Sequence, residues 1–340
     1  MIWFTWRQFR TQTWVTVGAL AALGAVLIVT RGSIADAYAA ADVAACDADC
    51  ATAIDNFLTQ VRTSTSGTVY DLANASIQVV PALIGIFWGA PLIARELETG
   101  THRLAWNQSV TRTRWLATKL AIVGAAVALT AGLISWAVTW WAQDIDNAAD
   151  NRITPELFGA RGIVPIGYAL FGFALGVTLG MLIRRTIPAM AATLGVYFAA
   201  AISMPLWIRE HLVPASHTTK PLDTSSLDQL MMNGDPTDQV EDPMTVVGSD
   251  NLPDAWVLSN QTITPTGEVF TGPADPQYCG PNASLQACEE WVGSLGLRQD
   301  LTYHPASNFW PLQWTETGIL LGVAVLLAGF CFWWTRRRLT

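Results

Sequence analysis

The chemically densest stretch of the chain is RELETGTHRLAWNQSVTRTRW, Arg95 to Trp115, where Glu96, Glu98 and His102 stand close together. Carboxylates beside an imidazole are the groups of general acid and base catalysis. A reaction would also need a nucleophile or an oxyanion site grouped with them, and neither a GxSxG turn nor an HExxH pair occurs. The GxxxxGK[ST] phosphate loop is missing as well, so the chain carries no nucleotide-binding motif and any driving energy must come from a partner. An enzyme is not expected. The second chemistry on offer is that of thiols. Cys46 lies near Cys50 and Cys279 near Cys288, without a paired CxxC and with few histidines, so no metal site is expected. In an oxidising space these four allow three pairings, of which the two local disulfides, Cys46 with Cys50 and Cys279 with Cys288, are the plausible set.

The elements that must position these groups are apolar. The chain is 51% hydrophobic and 14% charged over 340 residues, a composition that excludes an ordinary soluble domain. Six segments lack any charged side chain over the length that crosses a bilayer: Trp14 to Thr30, Ile77 to Ala94, Leu120 to Trp141, Gly162 to Ile183, Ile187 to Trp207 and Thr317 to Trp334. The expectation is an all-α integral membrane protein with six transmembrane helices. No segment so defined holds an ionisable group, which disfavours coupling to a proton or sodium gradient. Cys331, alone inside the last segment, is expected to face lipid.

Basic residues near span ends are retained in the cytoplasm. Twelve of the 19 Lys and Arg, from Arg7 and Arg10 through Arg95, Arg112, Lys119, Arg184 and Arg185 to Arg336, Arg337 and Arg338, fall on one set of connections and termini. Only Glu96 and Glu98 of the 27 acids join them, so both termini are read as cytoplasmic and the acidity belongs to the outer face, about −18 there against about +10 within, for the net charge of −8. Nothing in this pattern points to nucleic acid.

The resulting plan has four parts. Residues 1–12 place Ile2, Trp3, Trp6 and Phe9 on one helical side, as an amphipathic helix lying in the membrane interface would. The same region followed by ADAYAAADVAA looks like a cleavable signal peptide, although its apolar run is longer than a usual signal core. Residues 13–207 hold spans one to five, with a cytoplasmic loop at 95–118. Residues 208–316 form a large extracytoplasmic loop between spans five and six, and 317–340 the sixth span with its basic tail. In the large loop, Glu210 to Pro281 reads as mostly irregular, Leu285 to Leu295 as an amphipathic helix, and Phe309, Trp310 and Trp314 as an aromatic belt. Pro81 and Pro205 are positioned to kink the second and fifth spans. Gly167, Gly172, Gly176 and Gly180 form a small-residue stripe suited either to packing within the chain or to a seam with a second copy.

Within the loop 95–118, Gly100 can stop the helix continuing from the second span, and Leu104 and Trp106 offer apolar plugs among charges. This is how a knob that docks into a groove of a soluble protein is built; the alternative is positive-inside anchoring, with Trp106 and Trp115 at the lipid interface.

The blocks GAPLIARELETGTHRLAWNQSVTRTRWLATKL, YHPASNFWPLQWTETGILL and GFCFWWTRRR resemble the six-span permease subunits of type-2 ATP-binding-cassette transporters, especially the short actinobacterial kind. The resemblance implies a bacterial plasma-membrane protein working as a pair of permeases with two copies of a separate ATPase subunit. ATP and magnesium would bind that subunit, and this chain would hold no cofactor. It implies a coupling role for Glu96, Glu98, Gly100, Thr101, His102, Leu104 and Trp106, with Arg184 and Arg185 in a smaller second contact. It further implies a transport cavity drawn from the second and fifth spans, here Phe87, Trp88, Tyr197, Phe198 and Met204, suited to a hydrophobic or amphipathic compound such as an antibiotic, peptide or lipid. A membrane anchor or sensor acting through its outer domain is the alternative.

Overall fold

The computed structural model describes residues 2–43, 46, 50–101, 111–149, 152–223, 230–232, 244–248, 252, 254–272, 275–279 and 283–338. Among the described residues six helices are long and apolar enough to cross a membrane: Arg10–Ala40, Thr65–Thr99, Arg112–Ala149, Val164–Ile183, Thr186–His211 and Ala306–Arg337, hereafter the first to sixth spans. Five of them run past the charge-free segments, because the flanking residues continue the helix; the fourth, bounded by left-handed Gly162 and Arg184, does not. The first helix is continuous from Ile2 to Ala40. Residues 2–12 join the first span without a break, since no glycine or proline precedes Gly18 to turn the chain. Between the first two charge-free segments, residues 31–40, 51–63 and 65–76 are helical too. Ala51–Thr63 lays Phe57 and Val61 against Leu27, Ile34, Ile77, Val138 and Trp141. Ser64 then starts the second span by accepting a hydrogen bond from the Ser66 amide at 3.1 Å, an ordinary N-cap.

Both prolines singled out in the sequence sit beside a widened turn. After Pro81 the second span passes through a π-helical segment, Gly85–Gly89, and Pro205 lies inside another, Met204–Ile208, at the end of the fifth span. In each, an amide reaches back five residues, from Ala90 to the Gly85 carbonyl and from Arg209 to that of Met204.

The fourth span is the centre of the bundle and packs against the second, third, fifth and sixth. Its sequence is apolar all round, and its glycines mark where backbones meet. A Cβ on Gly172 would stand 2.8 Å from the Pro81 carbonyl oxygen, and one on Gly180 would stand 2.5 Å from that of Ala90. A Cβ on Gly176 would strike the Gly85 carbonyl, while Gly167 faces Leu320 of the sixth span. The glycine stripe is thus a seam within the chain. Cys331 is fully buried at the contact of the fourth and sixth spans, its Sγ 3.3 Å from the Thr178 hydroxyl, which corrects the expectation that it faces lipid.

Contacts divide the chain into two units, Met1–Leu212 with Phe309–Thr340, and Val213–Asn308. The second unit is not all-α. β1 (Ser216–Pro221), β5 (Arg298–Pro305) and β4 (Ala255–Ile263) form an antiparallel sheet in the order β1-β5-β4, with Ser216 opposite Tyr303 and Ile263 opposite Arg298. β2 (Leu230–Met232) pairs with β3 (Met244–Val246). The amphipathic helix expected near residue 285 is present as Leu285–Ser294, capped by Ser284. Its Cys288 and Val292 pack with Val246, Cys279 and Leu297. The structure bonds Cys279 to Cys288 and Cys46 to Cys50, with Cα separations of 4.6 and 5.7 Å. Replacing Cys279 and Cys288 together by serine is expected to destabilise the second unit by about 2 kcal/mol, because a short closed loop constrains the unfolded chain. Cleavage within 213–308 at lower urea than in the wild type is the readout.

Candidate functional site

Two turns meet at the basic end of the bundle. The second span ends at Thr99, and Gly100 follows with φ of 73°, a left-handed conformation that glycine adopts without strain. At the other turn Arg184, also left-handed with φ of 58°, ends the fourth span, and extended Arg185 starts the fifth. Glu98 joins the two. Its Oε2 accepts from the Thr186 amide at 3.0 Å and from the Thr186 hydroxyl at 2.8 Å, so a carboxylate of one turn caps the helix that leaves the other.

Glu96, two residues earlier, points elsewhere. It pairs with Lys119 of the third span at 2.5 Å, and the side chains are 10% and 2% exposed. Lys119 also reaches the Leu92 carbonyl at 3.4 Å and lies 5.0 Å from the ring centre of Trp115. Glu96, read from sequence as part of a partner-facing surface, is thus inside the bundle. Thr101 is exposed, its hydroxyl 3.1 Å from that of Thr99. His102, Leu104 and Trp106 lie outside the described residues.

Two further ion pairs are buried at the opposite end. Arg161 binds Asp146 at 2.6 and 3.0 Å and Asn74 at 2.7 Å, while the Tyr70 hydroxyl donates to Asp146 at 2.8 Å. Arg209 binds Glu316 at 2.8 and 3.0 Å, lies 4.6 Å from the Phe158 ring centre, and the Tyr168 hydroxyl donates to the same carboxylate at 2.9 Å. Beside them Gln313 accepts from the amides of Ile163 and Val164 and donates to the carbonyls of Phe158 and Arg161. This satisfies groups at the start of the fourth span that no helix can pair internally. The argument from empty spans against an ion-coupled carrier loses its premise here. What replaces it is that, among the described residues, each buried charge has an opposite partner and further hydrogen bonds. A sequence signal existed: Glu96, Lys119, Arg161, Arg209 and Glu316 each stand one or two residues outside a charge-free run.

The five cavity candidates do not share one lining. Tyr197 is 2% and Met204 5% exposed, both packed inside the chain, with Tyr197 stacked on Phe171 at 6.2 Å. Trp88 packs partly against the core around Ile84 and Phe173. Phe87 and Phe198 are exposed, at 51% and 42%. Neighbouring residues of a helix stand about 100° apart around its axis, so Phe87 and Trp88, like Tyr197 and Phe198, do not share one face. A void among Ile77, Val80, Pro81, Ala131, Ile134 and Pro165 measures about 10 Å³, too small for any ligand. Of the aromatic belt, Trp310 and Trp314 are exposed, whereas Phe309 is buried against Phe158.

No curated protein and no solved structure matches the chain. A family model described as ABC-2 membrane transporter related matches residues 17–209, which takes in most of the first and fifth spans, the three between them, both turns at the basic end and the Glu98 contact with Thr186. With six helices able to cross a membrane and a match over more than half its length, this multi-pass membrane protein belongs to the ABC-2 membrane transporter related family, as a permease of the ABC-2 type.

Proposed function

We propose that the chain is the membrane subunit of an exporter driven by ATP hydrolysis on a separate subunit, and that it moves a hydrophobic or amphipathic compound out of a bacterial cell. Both termini and the turns at 95–118 and 184–186 face the cytoplasm, and residues 213–308 lie outside. The observation that carries the reading is the bond from Glu98 to Thr186, which makes one surface of the two turns a soluble motor would touch. A second copy of the chain completes the transport path, and the uncovered apolar faces of the first and fifth spans, such as Trp14, Val29, Phe198 and Ile202, are available to it and to lipid. ATP binding closes the motor pair, shifts the two turns and switches the path from inward to outward access.

The test is purification in mild detergent followed by mass spectrometry of what accompanies the chain. A near-stoichiometric ATP-binding subunit is expected. Leu104→Asp or Trp106→Ala is expected to weaken its capture about 30-fold, the scale of losing a central interface anchor. A chain that arrives alone, or only with proteins bound to 213–308, supports the anchor or sensor reading, which the self-contained core of that unit otherwise favours.

A further inference from the structure

We infer that Lys119 is the positioning residue of the loop 95–118: paired with Glu96, it clasps the two stems of the loop so that a push on the loop moves the second and third spans as one body. This rests on the proposed function and adds to it a residue that sequence reading left among the interfacial charges.

A lysine at a span end ordinarily extends its ammonium to water. Lys119 does not, being 2% exposed and held by three groups of different origin: the Glu96 carboxylate, the Leu92 carbonyl and the Trp115 ring. Two of these belong to the second span and one to the third, so a single ammonium ties both stems where the loop leaves the bundle. Glu96 and Glu98 are two residues apart on one helix, about 200° around its axis. One carboxylate therefore grips the third span and the other the fifth. A stem held on both flanks cannot bend when its tip is displaced, and the displacement passes into the bundle. A buried ammonium is tolerated only when paired, which ties the loop's geometry to this one contact.

The experiment uses the chain purified with its accompanying ATP-binding subunit and compares wild type, Lys119→Met and Lys119→Arg. Lys119→Met is expected to retain the subunit at the wild-type ratio while the permease-dependent acceleration of ATP hydrolysis falls roughly tenfold, and Lys119→Arg to recover most of it. Wild-type acceleration in Lys119→Met at equal subunit ratio overturns the inference, as does an equal loss in both variants. If Lys119→Met fails to accumulate, Lys119→Arg decides: near-wild-type acceleration upholds the clasp and a tenfold loss at normal assembly removes it. Should no ATP-binding subunit accompany the wild type, the proposed function fails by itself. The clasp is then read from hydrogen exchange at the amides of 112–119 in the purified chain, with faster exchange in Lys119→Met upholding it and unchanged exchange overturning it.

Discussion

Arg209→Met is expected to destabilise the helical unit by about 3 to 5 kcal/mol, the cost of leaving a buried carboxylate without its counter-charge. Glu316 is fully buried, and both of its oxygens are engaged by the Arg209 guanidinium. Methionine supplies a similar volume of stem but no charge, so Glu316 keeps only the Tyr168 hydroxyl. Glu316→Gln preserves that hydrogen bond yet strands the guanidinium, and a loss of similar sign follows. The double change Arg209→Met with Glu316→Gln removes both charges and is expected to cost less than the two single changes summed. Thermal unfolding of the detergent-solubilised protein measures all four states. A single Arg209→Met variant as stable as the wild type would show that the pair contributes nothing, and with it the view that the fifth and sixth spans are bolted together at this end.

Gly176→Ala is expected to cost about 3 kcal/mol, near the upper end for overpacking a closed site. The added methyl would meet the Gly85 carbonyl oxygen and stand 2.8 Å from the Ala90 amide nitrogen. Both are backbone atoms of the second span, at the entry and the exit of its π-helical segment, and neither can swing aside as a side chain would. The second and fourth spans would have to separate, uncovering Ile84, Ile93, Phe173 and Val177. Gly195→Ala is the control: a Cβ there meets nothing within 4 Å, and alanine replaces the least favourable helix former short of proline. It is expected to be neutral or to stabilise by less than about 1 kcal/mol. Equal unfolding temperatures for the two variants would refute the close approach of these spans. In functional terms the lock matters because it joins the helix bearing Glu96 and Glu98 to the centre of the bundle.

Much of the architecture was legible in the residues. The charge-free runs gave six spans, since a bilayer core tolerates no unpaired charge and a helix of fixed rise must cover its thickness. Gly100 announced the end of the second span because only glycine takes its backbone conformation cheaply. The local cysteine pairs and the helix at Leu285–Ser294 were readable for the same reason: each involves residues a few positions apart.

What sequence did not reveal is long-range. β1 meets β5 across some eighty residues of chain, as Ser216 with Tyr303, and the inward positions of β5 include Gln299 and His304, so no alternation of apolar and polar residues marked it as a strand. Hydropathy scores a residue by its own side chain, and it placed Lys119, Arg161 and Arg209 at span ends without showing the acid opposite each. Whether the glycines of the fourth span faced a second copy or the second span, and which aromatic side chains of the second and fifth spans were core, depended on helix rotation. That rotation is set by packing and by the two widened turns. The sequence by itself determined that this protein lives in a membrane, how many times it can cross, and which loop concentrates its charge, because those follow from local composition against a bilayer of known thickness. Only the tertiary structure decided that Glu96 turns inward to Lys119 while Glu98 reaches across to Thr186, because a carboxylate's partner is fixed by where the folded chain brings a donor and not by anything within its own turn of helix.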